Sequence, residues 1–297
     1  MTQQQKRILS VQDISCFGKC SNTVMLPMLS AAGLETVILP TALLSTHTGG
    51  FSGFTFLDLT DQMQKIIAHW EKIGLRFDAL CTGYFGSPSQ VDLLLTHIET
   101  LCLPGAVRVI DPVLGDNGKL YTIYDDSFVQ AMRRLCARAD ILTPNLTEAC
   151  LLTGIPYTGA HLTDAAMSSL FDGLLALGAR RIVLTGVMFS DTEIGIAAMD
   201  ADGTVCTAKS RYIDAKLHGT GDVFTAALIG YLHRGCHFAD AARNALTFVS
   251  AAIDSTKPFL DTHWYGLCFE PCLWRLTDFG KVETSPMDPA LPPFTSR

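Results

Sequence analysis

Short apolar runs alternate with amphipathic stretches along most of the chain. Residues 7–12, 36–40, 79–82, 107–110, 141–143 and 181–185 are apolar and often β-branched. They lack the polar alternation of a half-exposed strand, which predicts strands covered on both faces. Between them, 21–32, 58–73, 87–101, 125–137 and 163–177 carry helical periodicity with acidic or hydroxyl residues at their starts. Gly33, Gly74 and Gly178 follow three of these stretches as stops. This β-α-β order implies a mostly parallel central sheet wrapped by helices, with ligands at the carboxyl ends of the strands. After Thr185 the pattern changes. Residues 193–199 and 204–208 flank Asp200-Ala-Asp-Gly203, a hairpin signal, and two long helical stretches follow at 220–233 and 238–255. No repeat or linker-like stretch interrupts this, so a single domain is expected over 1–284, followed by a Pro-rich tail at 285–297.

Composition agrees with a large core: of 297 residues, 48% are hydrophobic and only 17% charged. The net charge of −7 and the lack of a long basic run argue against nucleic acid or an anionic membrane as partner. An anionic ligand must then be held by local dipoles, a metal ion and a few side chains. Met1 to Arg7 runs straight into a strand-length apolar stretch, and no apolar run approaches the ~18 residues of a membrane span. A cytoplasmic protein is expected. Cys16 and Cys20, and Cys268 and Cys272, are spaced C-x3-C, but neither a histidine nor a C-x2-C knuckle supports zinc. The ten cysteines read as reduced thiols.

Candidate chemistry begins at His218-Gly219-Thr220-Gly221-Asp222, ahead of an apolar helical stretch. Its glycines let successive N–H groups converge on one point, which the positive end of the helix also faces. Asp222, in the first helical turn, is suited to take a proton from a hydroxyl attacking phosphorus. A plain glycine turn with a capping acid has equal claim on this segment alone. It is not a dinucleotide fingerprint, because Phe224 replaces the third glycine, and Phe17-Gly18-Lys19-Cys20 is not a P-loop. Two further clusters shift the balance. Asp111-Pro-Val-Leu-Gly-Asp116 puts carboxylates at one strand end, and Thr143-Pro-Asn145-Leu-Thr-Glu148 puts polar groups at the next. Hard oxygens so spaced suit Mg²⁺. Asn145 and Glu148 also have the spacing of a capping box, with Asn in place of Ser or Thr.

Asn145-x-x-Glu148 followed by Gly219-Thr-Gly-Asp222 resembles the ribokinase superfamily. Leu9-Ser-Val-Gln12, Thr46-His-Thr-Gly49, Thr82-Gly-Tyr84 and the Asp111–Asp116 segment resemble its vitamin B6 (pyridoxal/pyridoxamine) kinases, over residues 8–255. The resemblance implies a ribokinase-like three-layer α/β sandwich that phosphorylates the 5′-hydroxymethyl group of a B6 vitamer with ATP and Mg²⁺, accompanied by K⁺ or another monovalent cation. It further implies Asp222 as base and Gly219, Thr220 and Gly221 as anion hole. Asp111, Thr143 and Glu148 would lie at the metal, and Asp116, Asn145 and Thr185 at the nucleotide. Thr48, His47 and Tyr84 would line the acceptor pocket, in a homodimer.

Asp13 departs from the family, which often carries serine there. A carboxylate at this position favours a cationic acceptor, or else pairs with Lys19 or caps a turn. A hydroxymethylpyrimidine or other small-molecule kinase of the same fold, and a non-catalytic B6- or nucleotide-binding module, are the competing readings.

Overall fold

The computed structural model describes residues 5–215 and 217–277. The chain runs β1 (Arg7–Ser15), α1 (Asn22–Ala31), β2 (Glu35–Leu44), β3 (Phe56–Asp58), α2 (Thr60–Lys72), β4 (Phe77–Thr82), α3 (Pro88–Leu101) and β5 (Cys102–Ile110). It continues with β6 (Gly115–Asp116), β7 (Lys119–Leu120), α4 (Asp126–Cys136), β8 (Ile141–Leu142), α5 (Leu146–Thr153) and α6 (Asp164–Ala176). The final elements are β9 (Arg181–Ser190), β10 (Glu193–Met199), β11 (Val205–Arg211), α7 (Thr220–His233), α8 (Phe238–Thr256) and α9 (Trp274–Thr277).

Among the described residues one sheet has the order β11-β10-β9-β8-β5-β4-β1-β2-β3. The six strands from β9 to β2 pair in parallel, while β3, β10 and β11 run antiparallel to their neighbours at the two edges. The apolar runs are continuous because both faces are covered, and the two-residue period shows in where each side chain goes. Leu9, Val11, Leu80, Ile110, Leu142, Ile182 and Leu184 pack under α2 to α6. Ile8, Ala79, Cys81, Val109, Ile141 and Val183 pack under α1, α7 and α8. This is the expected three-layer sandwich.

The helices begin and end where local chemistry directs. Asp125 accepts from the Phe128 N–H and Thr163 from the Ala166 N–H, at 3.1 and 3.2 Å. The hairpin turns at Gly203, whose positive φ suits glycine, and pairs Met199 with Val205. Strand lengths differ from expectation: β1 continues past Gln12 to Ser15, β2 to Leu44 and β9 to Ser190. Asp58 closes β3 instead of opening a helix. The proline-rich tail at 285–297 lies outside the described residues.

Candidate active site

Asp13 lies near the end of β1, Tyr84 just beyond β4, Asp111 just beyond β5, Thr143 just beyond β8, and Thr185 within β9. Parallel pairing brings these carboxyl ends to one edge of the sheet, and the N-terminus of α7 arrives over them. Gly219 adopts φ +77 as the N-cap, where a Cβ would stand 2.4 Å from the Lys19 carbonyl oxygen. No side chain caps this helix. The N–H groups of its first turn are thus left to another acceptor. A Cβ on Gly221 would lie 3.7 Å from Asp111 Oδ2, so the glycine turn and the strand-end acids share one cleft.

One turn further along α7, the Thr225 hydroxyl donates to Asp111 Oδ2 at 3.3 Å and lies 3.2 Å from Thr143 Oγ1. Glu148 is buried and receives the Leu114 N–H at 3.1 Å and the Asn145 N–H at 2.8 Å. Asn145 returns the favour by accepting the Glu148 N–H at 2.9 Å, and its amide donates to the Gly115 carbonyl. The capping box is therefore real, and the acid it holds lies near enough to Asp111 for its charge to act on that group. Asp116, on the β6–β7 hairpin, is exposed and takes the Asn117 N–H at 2.8 Å. Thr185 joins through a bridge to Asn145 and its N–H bond to the Pro144 carbonyl at 3.0 Å.

Electrostatics tie these acids together. Burial, then the charges of Glu148 and Asp222, push Asp111 well above the ordinary carboxylate range. Burial pushes Glu148 up to about 7 against the backbone donors that favour its ionised form. Asp222 also rises to about 7, chiefly through burial, with Asp13 adding to the rise and the Ser21 N–H opposing it. Carboxylates so crowded and desolvated call for a counter-charge, which a divalent cation would supply. Among the described residues no group of three or more His, Cys, Asp or Glu side chains could hold a metal by itself. Mg²⁺ ordinarily needs only one or two carboxylates beside phosphates and water.

The acceptor side is less uniform. Asp13 is buried beside Ser15, whose hydroxyl donates to it at 2.7 Å. It does not pair with Lys19, which reaches Glu270 at 2.5 Å because the 18–21 loop turns toward the C-terminal segment. His47 is buried between the Gly49 N–H at 3.1 Å and the Tyr265 carbonyl at 2.7 Å, and burial lowers its pKa. Burial raises Tyr84 to about 12, helped by the charges of Asp13 and Asp58. Thr48 is exposed on the rim and is not drawn into this cluster.

Four participants carried no sequence signal. Thr225 looks like any helical residue. Ser21 has φ 52, a conformation its residue type does not announce, and lies where its hydroxyl favours ionised Asp13 and its N–H favours ionised Asp222. Trp264 and Tyr265 come from the far end of the chain to pack on Phe51 and Phe17, with ring centroids 4.6 and 4.4 Å apart.

Residues 26–265 match the phosphomethylpyrimidine kinase family. A Bacteroides thetaiotaomicron protein described as a phosphomethylpyrimidine kinase, crystallised with pyridoxal, superposes with a TM-score of 0.87 at 38% identity, over 92% of this chain and 96% of its own. Pyridoxal kinase from Lactobacillus plantarum gives 0.85 at 33% identity, over 94% and 99%. A pyridoxine/pyridoxal/pyridoxamine kinase of Bordetella avium (strain 197N) is 30% identical, over 84% of this chain and 85% of that one.

Proposed function

The chain belongs to the phosphomethylpyrimidine kinase family, and from that premise we propose that it transfers the γ-phosphoryl group of ATP to the 5′-hydroxymethyl group of pyridoxal, pyridoxamine or pyridoxine. The supporting observation is the approach of Gly221 to Asp111, which gives phosphate a cleft with amides on one side and metal-suited acids on the other. The similarity to the structure crystallised with pyridoxal and to the named B6 kinases favours a vitamer over a pyrimidine as acceptor.

In this reading Asp222 accepts the proton of the acceptor hydroxyl as its oxygen bonds to the γ-phosphorus. The bond from that phosphorus to the β,γ-bridging oxygen breaks, and ADP departs. The Gly219, Thr220 and Gly221 amides meet the charge gathering on the transferred group. Asp111, Thr143 and Glu148 would hold Mg²⁺, which neutralises phosphate charge when bound. Asp116, Asn145 and Thr185 would border the nucleotide, while Asp13, His47, Thr48 and Tyr84 would border the acceptor. A homodimer, a monovalent cation beside Mg²⁺ and a cytoplasmic location complete the proposal. Among the described residues no helix is long and apolar enough to cross a membrane.

Coupled ADP-release assays with each vitamer and with hydroxymethylpyrimidine test the assignment. Turnover of at least one vitamer with higher kcat/KM than the pyrimidine is expected. A strong preference for the pyrimidine would reassign the acceptor within the same chemistry.

A further inference from the structure

We infer that Asp13 is the specificity-determining residue of the acceptor site, a buried carboxylate that selects acceptors carrying a protonated nitrogen on or beside the aromatic ring. The inference rests on the kinase reading above and deepens it.

Asp13 is only 4% exposed, at a point where the β1–β2 register slips between Gln12 and Ile14. Such irregularities re-aim side chains beside functional sites. Its donors are neutral: the Ser15 hydroxyl bonds to it at 2.7 Å, while the Ser21 hydroxyl and the Asp13 N–H lie where they favour the ionised form. These few donors leave part of the accepting capacity of a carboxylate unused. Among the described residues, the cations within sequence reach are committed elsewhere. Lys19 holds Glu270. The His47 ring lies within electrostatic range of Asp13, but its Nδ1 accepts the Gly49 N–H, which leaves Nε2 to donate to the Tyr265 carbonyl. A ring with one accepting nitrogen is neutral. Among the described residues only neutral donors answer this desolvated carboxylate, which costs stability, and such a cost is retained where a ligand supplies the missing charge.

Its position is also suited to reading the acceptor. Ser21 lies close enough to favour the ionised forms of both Asp13 and Asp222, and the charge of Asp13 itself raises Asp222, so carboxylate and base share one neighbourhood. Lys19 and Ser21 both hold positive φ, at 49 and 52, to form this loop. Non-glycine residues kept in that region mark places where strain serves a site. A six-membered ring with its hydroxymethyl group at Asp222 can set a nearby nitrogen against Asp13. That nitrogen has two sources, the exocyclic amine of pyridoxamine and the protonated ring nitrogen common to all vitamers.

The test compares Asp13→Asn and Asp13→Ser with the unsubstituted protein. Acceptors are pyridoxamine, pyridoxal, pyridoxine and a carbocyclic analogue in which C–H replaces the ring nitrogen and no amine is present. Thermal melting verifies folding, and calorimetry measures acceptor binding beside kcat and KM. A loss of at least tenfold in kcat/KM for pyridoxamine alone, carried by KM and binding, identifies the amine. An equal loss for all three vitamers, with the analogue within twofold, identifies the ring nitrogen. The inference is overturned if vitamers and analogue fall together, as they would if Asp13 only tuned Asp222, or if no ratio changes by more than twofold in a folded variant. Absence of turnover with every vitamer by the unsubstituted protein would instead bring down the kinase reading itself.

Discussion

Replacing Asp222 with asparagine should destroy activity while leaving the protein at least as stable at alkaline pH. The side chain keeps its size and an oxygen that can accept a hydrogen bond, but it can no longer take a proton. A general base contributes ~10²–10⁴ in rate, so kcat should fall by at least about a hundredfold. The stability effect has the opposite sign. Burial raises the Asp222 pKa from 3.8 to about 7. A tenfold change in an acid's ionisation constant is worth about 1.4 kcal/mol, and with a discount for partial exposure the ionised form costs the fold about 1–3 kcal/mol above neutrality. Removing that charge should raise Tm at pH 8.5 by several degrees, since about 1 kcal/mol moves a domain of this size by ~2–4 °C. At pH 4.5, where the native acid holds its proton, the gain should largely vanish. Differential scanning calorimetry at the two pH values, with ADP release at saturating substrates and a nucleotide-binding titration, measures all three quantities. A variant that kept more than a tenth of the parent kcat would refute the assignment of the base. Equal destabilisation at both pH values would refute the argument that its burial is a cost.

The same raised pKa governs the pH profile. Because the base must be ionised and its folded pKa lies near 7, kcat/KM should fall about tenfold for each pH unit below 7; an acid limb near pH 4, read from initial rates, would show that burial does not control it. The two glycines of the anion hole should separate stability from function. Gly219→Ala meets both a positive φ and a carbonyl 2.4 Å from its Cβ, so Tm should drop. Gly221→Ala meets only an ordinary contact at 3.7 Å, so kcat should drop tenfold or more with Tm within about two degrees. Melting curves and initial rates on both variants check this, and a Gly221→Ala enzyme of full activity would contradict the role given to that turn.

Much of this architecture is legible in the sequence because it is governed by short-range rules. Strands such as 79–82 and 107–110 are buried on both faces and therefore mainly apolar, Thr82 and Arg108 apart. The helix stops at Gly33, Gly74 and Gly178 coincide with positive φ. The acids at 111 and 148 are readable because each follows closely on a strand end. What escapes depends on approach in space. Strand β1 continues through Asp13 and Ser15 because their polar side chains satisfy each other inside, against the apolar pattern that marks its first half. Ser21 takes a backbone conformation opposed to its propensity, and the Trp264–Tyr265 contact with Phe51 and Phe17 joins segments more than two hundred residues apart. A pairing of Asp13 with Lys19 looks natural at six residues' separation, yet Glu270, distant in sequence, takes the lysine.

The claim on which all else depends is that phosphate passes from ATP to a hydroxymethyl oxygen held at Asp222. ³¹P NMR of a reaction containing the purified protein, ATP, Mg²⁺ and pyridoxal tests it directly. The account predicts a phosphomonoester resonance coupled to the 5′-methylene protons, growing in step with ADP and absent with Asp222→Asn. Release of inorganic phosphate without that ester, or an ester formed equally well by the variant, would contradict it.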